Sequence, residues 1–417
     1  LVHKMKNYSV VVLDPMGIFN SLKNPNTNMK ELAGWKDVIP QKIDNVTVWA
    51  PAGDAPRFID GTYDKIFSLH ARDLSAANLC TAFSLDNLGP QVNLFRKVRS
   101  LINKQVGTGF SLKQLLSFAR EHGCDLCFSS STVDALTSKL EALLELGVIA
   151  DPDAGLDGIN LKEVMKDGNV SVFDLSLSNE YTAKVVVNFF AEKLLHTRRQ
   201  ITRAVTLART KNKKVEKPGW YVPPVQLVID EAHNFFPSNP ILKKVIKEGR
   251  NCGCMMTAIS QSPDLTRDVF TNITHTFIGP LIYDKDLVQV REMLPVFWTK
   301  KEMRAKIHSL TTGSFWYFNI DNKEAKQIRI RPRLTLHPAS TELIDELSFF
   351  KKTSPIELFI SERHDEEKEK GDTGFYSSFY KTCKSMIESG APLTSKQLTV
   401  IKKDHERLRG KVLNVDE

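Results

Sequence analysis

The chain reads as an α/β protein built on a parallel sheet, and three observations predict this. Apolar runs such as "YSVVVLD" (residues 8–14), "VSVFDLS" (170–176) and "VQLVID" (225–230) are nearly continuous, the pattern of strands buried on both faces. Segments with apolar residues at three and four spacing separate them, so strands alternate with helices. The third run ends directly in Asp230 and Glu231, which is how a buried parallel strand delivers two carboxylates to its C-terminal edge.

The first strand, 8–14, stops at the Pro-Met-Gly of "DPMGIF". From about residue 73 to 148 the pattern is helical. "DLSAANLCTAFSL", "QVNLFRKVRSLI", "SLKQLLSFAREHG" and "TVDALTSKLEALLELG" carry apolar residues at helical spacing, with Ser111 and Thr132 placed as N-caps. This predicts an all-helical insertion over 73–165, between a first part of the core (1–72) and its remainder (166–336). After the strand at 170–176, a long helix is expected from Glu180 to Arg209. Next come the strand "VQLVID", the helix "ILKKVIKEGRN", the strand "MMTAIS", the short helix "DLTRDVF" and the strand "THTFIGPL". "GSFWYFNI" and "AKQIRIRP" have the aromatic and β-branched character of an antiparallel pair appended to the sheet. Beyond His337 the chain is a charged and helical extension (337–417), with "ERHDEEKEKGD" as an exposed linker. In "GAPLTSKQLTVIKKDHERL", Thr394 or Ser395 is placed to cap a basic amphipathic helix, read either as a plain exposed helix or as a docking element. No internal repeat is visible.

With 41% hydrophobic and 25% charged residues, the 417-residue chain has the composition of a soluble globular protein. No apolar run approaches the ~18 to 20 residues of a membrane span. The formal charge of +8 is compatible with a polyanionic partner. Six cysteines are too few and too scattered for a disulfide framework, which points to a reducing cytoplasm; Cys124-x-x-Cys127 lacks a second ligand pair for zinc. The chain begins with Leu1 rather than Met and has no signal peptide, so its start reads as cut.

Asp230-Glu231-Ala232-His233 spells the DEAH box of a large helicase group, but the Ser-Ala-Thr and Gln-x-x-Gly-Arg segments of that group are absent. Downstream of the box the chain instead carries "EGRNCGCMMTAISQSPDLTRDVFTNITHTFIGPL". Together with "VVLDPMGIF", "VSVFDLS", "LVIDEAHNFFP" and the terminal "GSFWYFNI" and "IRIRPR" pair, this order resembles the HerA group of the HerA/FtsK superfamily, over about residues 8–334. The resemblance implies a RecA-like P-loop ATPase core using ATP and Mg²⁺. It also implies a ring, expected to be a hexamer, that moves along duplex DNA without reading sequence, in some members with a nuclease or other effector partner. The alternatives are a catalytically inactive, ATPase-derived assembly subunit, or a motor for DNA transfer, packaging or phage defence.

The other half of such a site, Gly-x-x-x-x-Gly-Lys-Ser/Thr, occurs nowhere; "VGTGFSLK" (106–113) has the wrong spacing and lies among the insertion helices. The resemblance puts the P-loop one helix upstream of "VVVLDPMGIF", hence before Leu1. The roles it implies are a Mg²⁺ ligand for Asp230, a general base that orients the attacking water for Glu231, and a γ-phosphate or water sensor for Gln261. Arg250 resembles an arginine supplied to a neighbouring subunit's nucleotide, against the plain reading of a cation at a helix C-terminus. Arg267 and Arg304 are weaker candidates for the same task. Asp14 ends the second strand of the resembled core, but Met16-Gly17-Ile18 depart from the pattern that gives this aspartate a share in the metal's water shell. The basic run 196–217, with Arg198, Arg199, Arg203, Arg209, Lys211, Lys213 and Lys214, reads either as a DNA-phosphate track or as a solvated helix end.

Overall fold

The computed structural model describes residues 7–28, 32–35, 38–59, 61–150, 157–211, 219–236, 239–263, 272–294, 298–322, 324–337, 355–369, 371, 374–388 and 393–409. The chain divides into two compact units, Leu1–Ala339 and Ser340–Glu417.

The first unit is organised by six strands: β1 (Ser9–Asp14), β2 (Val46–Pro51), β3 (Lys65–Phe67), β4 (Val170–Asp174), β5 (Val225–Ile229) and β6 (Cys254–Ala258). They form one sheet in the order β3-β2-β4-β1-β5-β6, and every pairing is parallel. This is the parallel α/β core that the alternation of apolar runs and helices predicts. All five residues of β4 are buried, as expected for a strand covered on both faces. Side chains alternate across β1: Val11 and Leu13 face the main core, and Val12 faces a smaller cluster with Val48, Val170 and Val172.

The insertion consists of α1 (Ala76–Phe83), α2 (Pro90–Gln105), α3 (Leu112–His122), α4 (Ser130–Glu145) and the short α5 (Leu161–Val164). Leu79, Phe95, Leu115 and Leu136 join the same cluster as Val11 and Phe173, so these helices are continuous with the sheet's core. Helix α6 (Glu180–Thr210) is capped by the Asn179 side chain, which accepts from the Thr182 N–H. It lays Phe190 against Phe173 of β4 with ring centroids 4.2 Å apart, and Phe67 of β3 meets the same Phe173 edge-on at 4.9 Å.

Several elements differ from expectation. Two strands are additional to those expected: the six-residue β2, and β3, whose three residues are below the length at which a period of two can be recognised. Helix α4 starts three residues earlier than expected: Ser129 is its N-cap and accepts from the N–H of Thr132, which is one of the unpaired donors of the first turn and not the cap. The helix after β5 is α7 (Pro240–Glu248); it gives way to a 3₁₀ turn at Gly249–Cys252, which ends at Gly253 with φ +71°. The expected helix "DLTRDVF" falls outside the described residues.

The strands expected to extend the main sheet form a sheet of their own. β7 (His275–Ile278) pairs antiparallel with β8 (Ser314–Asn319), and β8 with β9 (Glu324–Arg329). Helices α8 (Asp284–Met293) and α9 (Lys300–His308) belong to the same region, where Leu287, Val290, Met303 and Ile307 share a separate core with Ile278 and Phe318.

The second unit contains α10 (Pro355–Glu369), α11 (Phe375–Glu388) and α12 (Ser395–Arg409). Thr394, not Ser395, caps α12: it accepts from the Gln397 N–H at 3.3 Å, and its own N–H donates to Gln397 Oε1 at 2.8 Å. Phe359, Ile360, Tyr380, Cys383 and Ile401 form the core. Inside it the Arg363 guanidinium pairs with Glu367 at 2.8 Å and Asp404 at 3.2 Å, and the Tyr380 hydroxyl donates to Asp404 at 2.7 Å. Among the described residues no helix is long and apolar enough to cross a membrane.

Candidate active site

The parallel sheet lines up three aspartates. Asp14 and Asp174 end β1 and β4 in register, and Asp230 follows Ile229, which is paired with Leu13. Strand polarity therefore brings the carboxylates of three adjacent strands to one edge. They differ in what holds them.

Asp14 is fully buried, and its carboxylate accepts from the N–H groups of Met16 (3.2 Å), Gly17 (2.8 Å) and Phe19 (2.8 Å). It closes the turn after β1. Gly17 has φ +68°, and a Cβ there would meet Ser176 Oγ at 2.8 Å, so the turn admits only glycine without rearrangement. Burial pushes the Asp14 carboxyl up to about 6, with the charge of Asp174 adding to the effect against those hydrogen bonds. Asp174 is held by the N–H and hydroxyl of Ser176, at 3.0 and 2.6 Å. Both groups are thus tied into their own turns.

Asp230 is also buried, but among the described residues no Lys or Arg pairs with it. Its N–H donates to Leu13 O at 3.2 Å, fixing it to β1. Burial raises its pKa, and the neighbouring Glu231 carboxylate adds to this. A buried carboxylate without a cationic partner has the donor chemistry for a divalent ion.

Glu231 adopts φ +47°, ψ +43°, a left-handed conformation that disfavours any side chain with a Cβ. Its surroundings hold it there. Ala232 N–H donates across to Ile259 O beyond β6 at 2.8 Å, and Asn234 N–H donates back to Glu231 O at 3.0 Å. The side chain accepts from Gln261 Nε2 at 2.6 Å, and its second oxygen lies 3.4 Å from His233 Nδ1. His233 Nδ1 is also 3.2 Å from Ser260 Oγ, whose hydroxyl donates to Ser262 O at 2.5 Å. With that hydroxyl proton committed, Ser260 Oγ is the acceptor, which places a proton on Nδ1 of His233. Glu231 and Gln261 are brought together. His233 and Ser260 were not singled out as site residues, although each is next or next but one to a residue that was.

The remaining candidates lie elsewhere. Arg250 sits exposed in the turn that precedes β6, and β6 begins opposite the start of β5. It is at the opposite edge of the sheet from Glu231, roughly 15 Å away by strand rise, and does not join the site within one chain. Arg304 faces Asp284 at 3.6 Å, and Arg267 is outside the described residues.

Arg198 departs from its expected DNA role. It is 7% exposed, and its guanidinium donates to Cys252 O (2.9 Å) and Val222 O (2.7 Å), tying α6 to the segments that lead into β5 and β6. Arg199 is paired with Glu248. Arg203, Arg209 and Lys211 are exposed, and Lys213 and Lys214 lie outside the described residues. Cys252 and Cys254 are buried, the latter with its thiol pushed up to about 12 by burial. Among the described residues no cluster of His, Cys, Asp and Glu has the makings of a metal cage.

No family model matches the chain. In sequence it is 25% identical over 147 residues to the DNA double-strand break repair helicase HerA of Pyrococcus furiosus, covering 30% of this chain and 27% of that one. The chain thus spans about a quarter of that relative's length. Among solved structures, the bacterial conjugative coupling protein TrwB superposes with a TM-score of 0.48 at 11% identity over 80% of each chain. The genome-packaging NTPase B204 of Sulfolobus turreted icosahedral virus 2, with AMPPCP, gives 0.27 at 15% identity over 42% of this chain and 72% of that one. The order of motifs and the sequence match agree: this chain is similar to HerA-type ATPases of the HerA/FtsK superfamily.

Proposed function

We propose that the chain is the hydrolytic core of an ATP-driven translocase for double-stranded DNA. The observation that carries this reading is the hydrogen bond from Gln261 to a Glu231 held in left-handed geometry at the tip of β5, beside Asp230, which has no Lys or Arg partner among the described residues. A bond that ties the residue after β5 to the end of β6 places an acidic and an amide group where a water molecule can be oriented. Bound ATP and Mg²⁺ would supply the phosphoryl group and the charge that neutralises it. Asp230 would hold the ion. Glu231 would accept the water's proton, with His233 and Gln261 fixing its two oxygens, and Gln261 would register the terminal phosphate. Arg250, at the far edge of the sheet, would serve a neighbouring subunit in a ring, with six subunits as the expected number.

The described residues provide no cradle for the phosphates. Among the described residues β6 and β7 each pair on one side only. A parallel strand between them, followed by a Gly-rich loop, would join the two sheets into one and bring backbone N–H groups to the edge where Asp230 sits. The sequence of the locus upstream of Leu1 tests for that strand.

The biochemical test is ATP turnover by the full chain, with and without duplex DNA, compared with Glu231→Gln. Turnover should rise with DNA and fall by about 10²- to 10⁴-fold in the variant, with nucleotide binding retained. Turnover that survives the substitution sinks the assignment of Glu231. A chain that binds DNA and self-assembles but never binds ATP supports the competing reading, an assembly subunit without hydrolysis.

A further inference from the structure

A second polar site lies on the helical insertion. A shallow depression of about 410 Å³ is lined by Ala76, Phe95, Arg96, Arg99, Ser100 and Asn103. Arg96, Arg99, Ser100 and Asn103 stand at positions i, i+3, i+4 and i+7 of α2, so a single helix face presents them. Ala76 and Phe95 form an apolar floor.

What holds the two arginines is unusual for surface cations. Arg96 Nη1 donates to Asn87 O at 2.8 Å and Asn93 Oδ1 at 3.0 Å, and its Nη2 to Asn87 Oδ1 at 2.5 Å. Arg99 Nη2 donates to Arg72 O at 2.5 Å. All these acceptors are neutral, and among the described residues neither guanidinium has a carboxylate within ion-pair distance. The nearby acids are engaged by other groups: Asp73 pairs with Lys193, and Glu192 accepts from the Ser75 hydroxyl at 2.6 Å and from Asn78 at 3.4 Å. A guanidinium carries five N–H donors. These bonds use about three of those on Arg96 and one on Arg99, so both guanidinium groups keep donors to spare, while the charges of Asp73 and Glu192 act on Arg99 from beyond ion-pair distance. Arg99 is half-buried, and burial lowers its pKa, so water offsets its charge less than on an open surface.

We propose that this depression binds a phosphate group, supplied in the translocase reading by the backbone of duplex DNA. Paired planar forks match phosphate oxygens, and the hydroxyl of Ser100 and amide of Asn103 add neutral donors at the rim. Nothing here reads a base edge, so the contact is independent of sequence.

The inference rests on the translocase reading for the source of the phosphate and is separable from it. Duplex-DNA affinity is measured against salt concentration for the full chain, for Arg96→Gln/Arg99→Gln, and for Lys42→Gln/Lys166→Gln, which removes the same charge elsewhere. Inorganic phosphate is titrated calorimetrically in parallel, and thermal melts establish that the variants fold. Loss of two phosphate contacts lowers the magnitude of the log–log salt slope by about 1.8 in the arginine variant, with the lysine variant unchanged. An unchanged slope together with lost phosphate binding assigns the site to a free phosphate compound. If neither readout moves, or if the lysine variant lowers the slope equally, the site is refuted. An unaltered chain that fails to bind DNA refutes the translocase reading, and the phosphate titration then decides the site alone.

Discussion

The left-handed conformation of Glu231 makes a prediction about stability that is independent of catalysis. Glu231→Ala and Glu231→Gly both remove the contacts to Gln261 and His233, so their difference isolates the backbone. At an ordinary position glycine is the less stable of the two by about 0.4–1 kcal/mol, because its unfolded chain has more freedom to lose. At φ +47° alanine keeps its Cβ clash, which costs roughly 1–2 kcal/mol and which glycine relieves. The balance favours glycine by up to about 1.6 kcal/mol, an inversion of the usual sign. Urea unfolding followed by tryptophan fluorescence measures it. All five tryptophans (Trp35, Trp49, Trp220, Trp298 and Trp316) lie within residues 1–339, so the signal reports that unit and not the C-terminal helices. The two variants should share an m-value and differ in midpoint. An alanine variant as stable as the glycine variant, or more so, would falsify the argument that strain is held at this residue.

Other substitutions probe separate features. Arg198→Ala strips the partner from two buried carbonyls and empties a packed site; it should destabilise the first unit by about 3 kcal/mol or more, while leaving the DNA salt slope unaltered. A lowered slope there would mean the residue is not buried as described. The Asp14 carboxyl, raised by burial from 3.8 to about 6, favours the folded state when protonated. Its contribution is full below pH ~3.8 and is lost as pH rises through about 6, a swing on the order of 3 kcal/mol. Subtracting the urea midpoints of Asp14→Asn from those of the unaltered protein across that window should reveal this decline, and a rising difference would reverse the assignment. In the C-terminal unit, Tyr380→Phe removes a buried donor to Asp404 and should cost about 1–3 kcal/mol by circular dichroism of residues 340–417 within the full chain. No loss would show that Arg363 and Arg407 satisfy Asp404 unaided.

The features legible in the sequence are those set by local pattern. A run of apolar residues ending in Asp230 and Glu231 requires a buried strand with acids at its tip, and "MMTAIS" next to it requires Gln261 at the same edge. Strand polarity also separates Arg250 from the site: a residue just before a parallel strand and one just after its neighbour lie at opposite edges, a deduction available from the sequence alone. Other features depend on tertiary contacts that no window contains. Arg198 looks like its basic neighbours, and only the carbonyls of Val222 and Cys252, brought up from distant segments, turn it inward. The left-handed turn at Glu231 is imposed from outside by Ile259, and glutamate gives no local signal for it. β7 matches the apolar pattern of a main-sheet strand, yet it pairs with β8, because pairing is decided by which edges meet.

The one-sided pairing of β6 and β7 also bears on how the molecule behaves at high concentration. Among the described residues two rows of backbone donors and acceptors are without strand partners, close to Ile259, 42% exposed, and Phe277, 54% exposed. Natural sheets blunt such borders with charge, proline or a covering loop. Among the described residues neither border has a strand partner, so each offers a template for an extended chain, another copy included. A preparation of these 417 residues alone should therefore scatter light progressively as it is concentrated. An extended peptide that pairs with either border should keep the preparation dispersed, which turns colloidal behaviour into a readout of edge pairing.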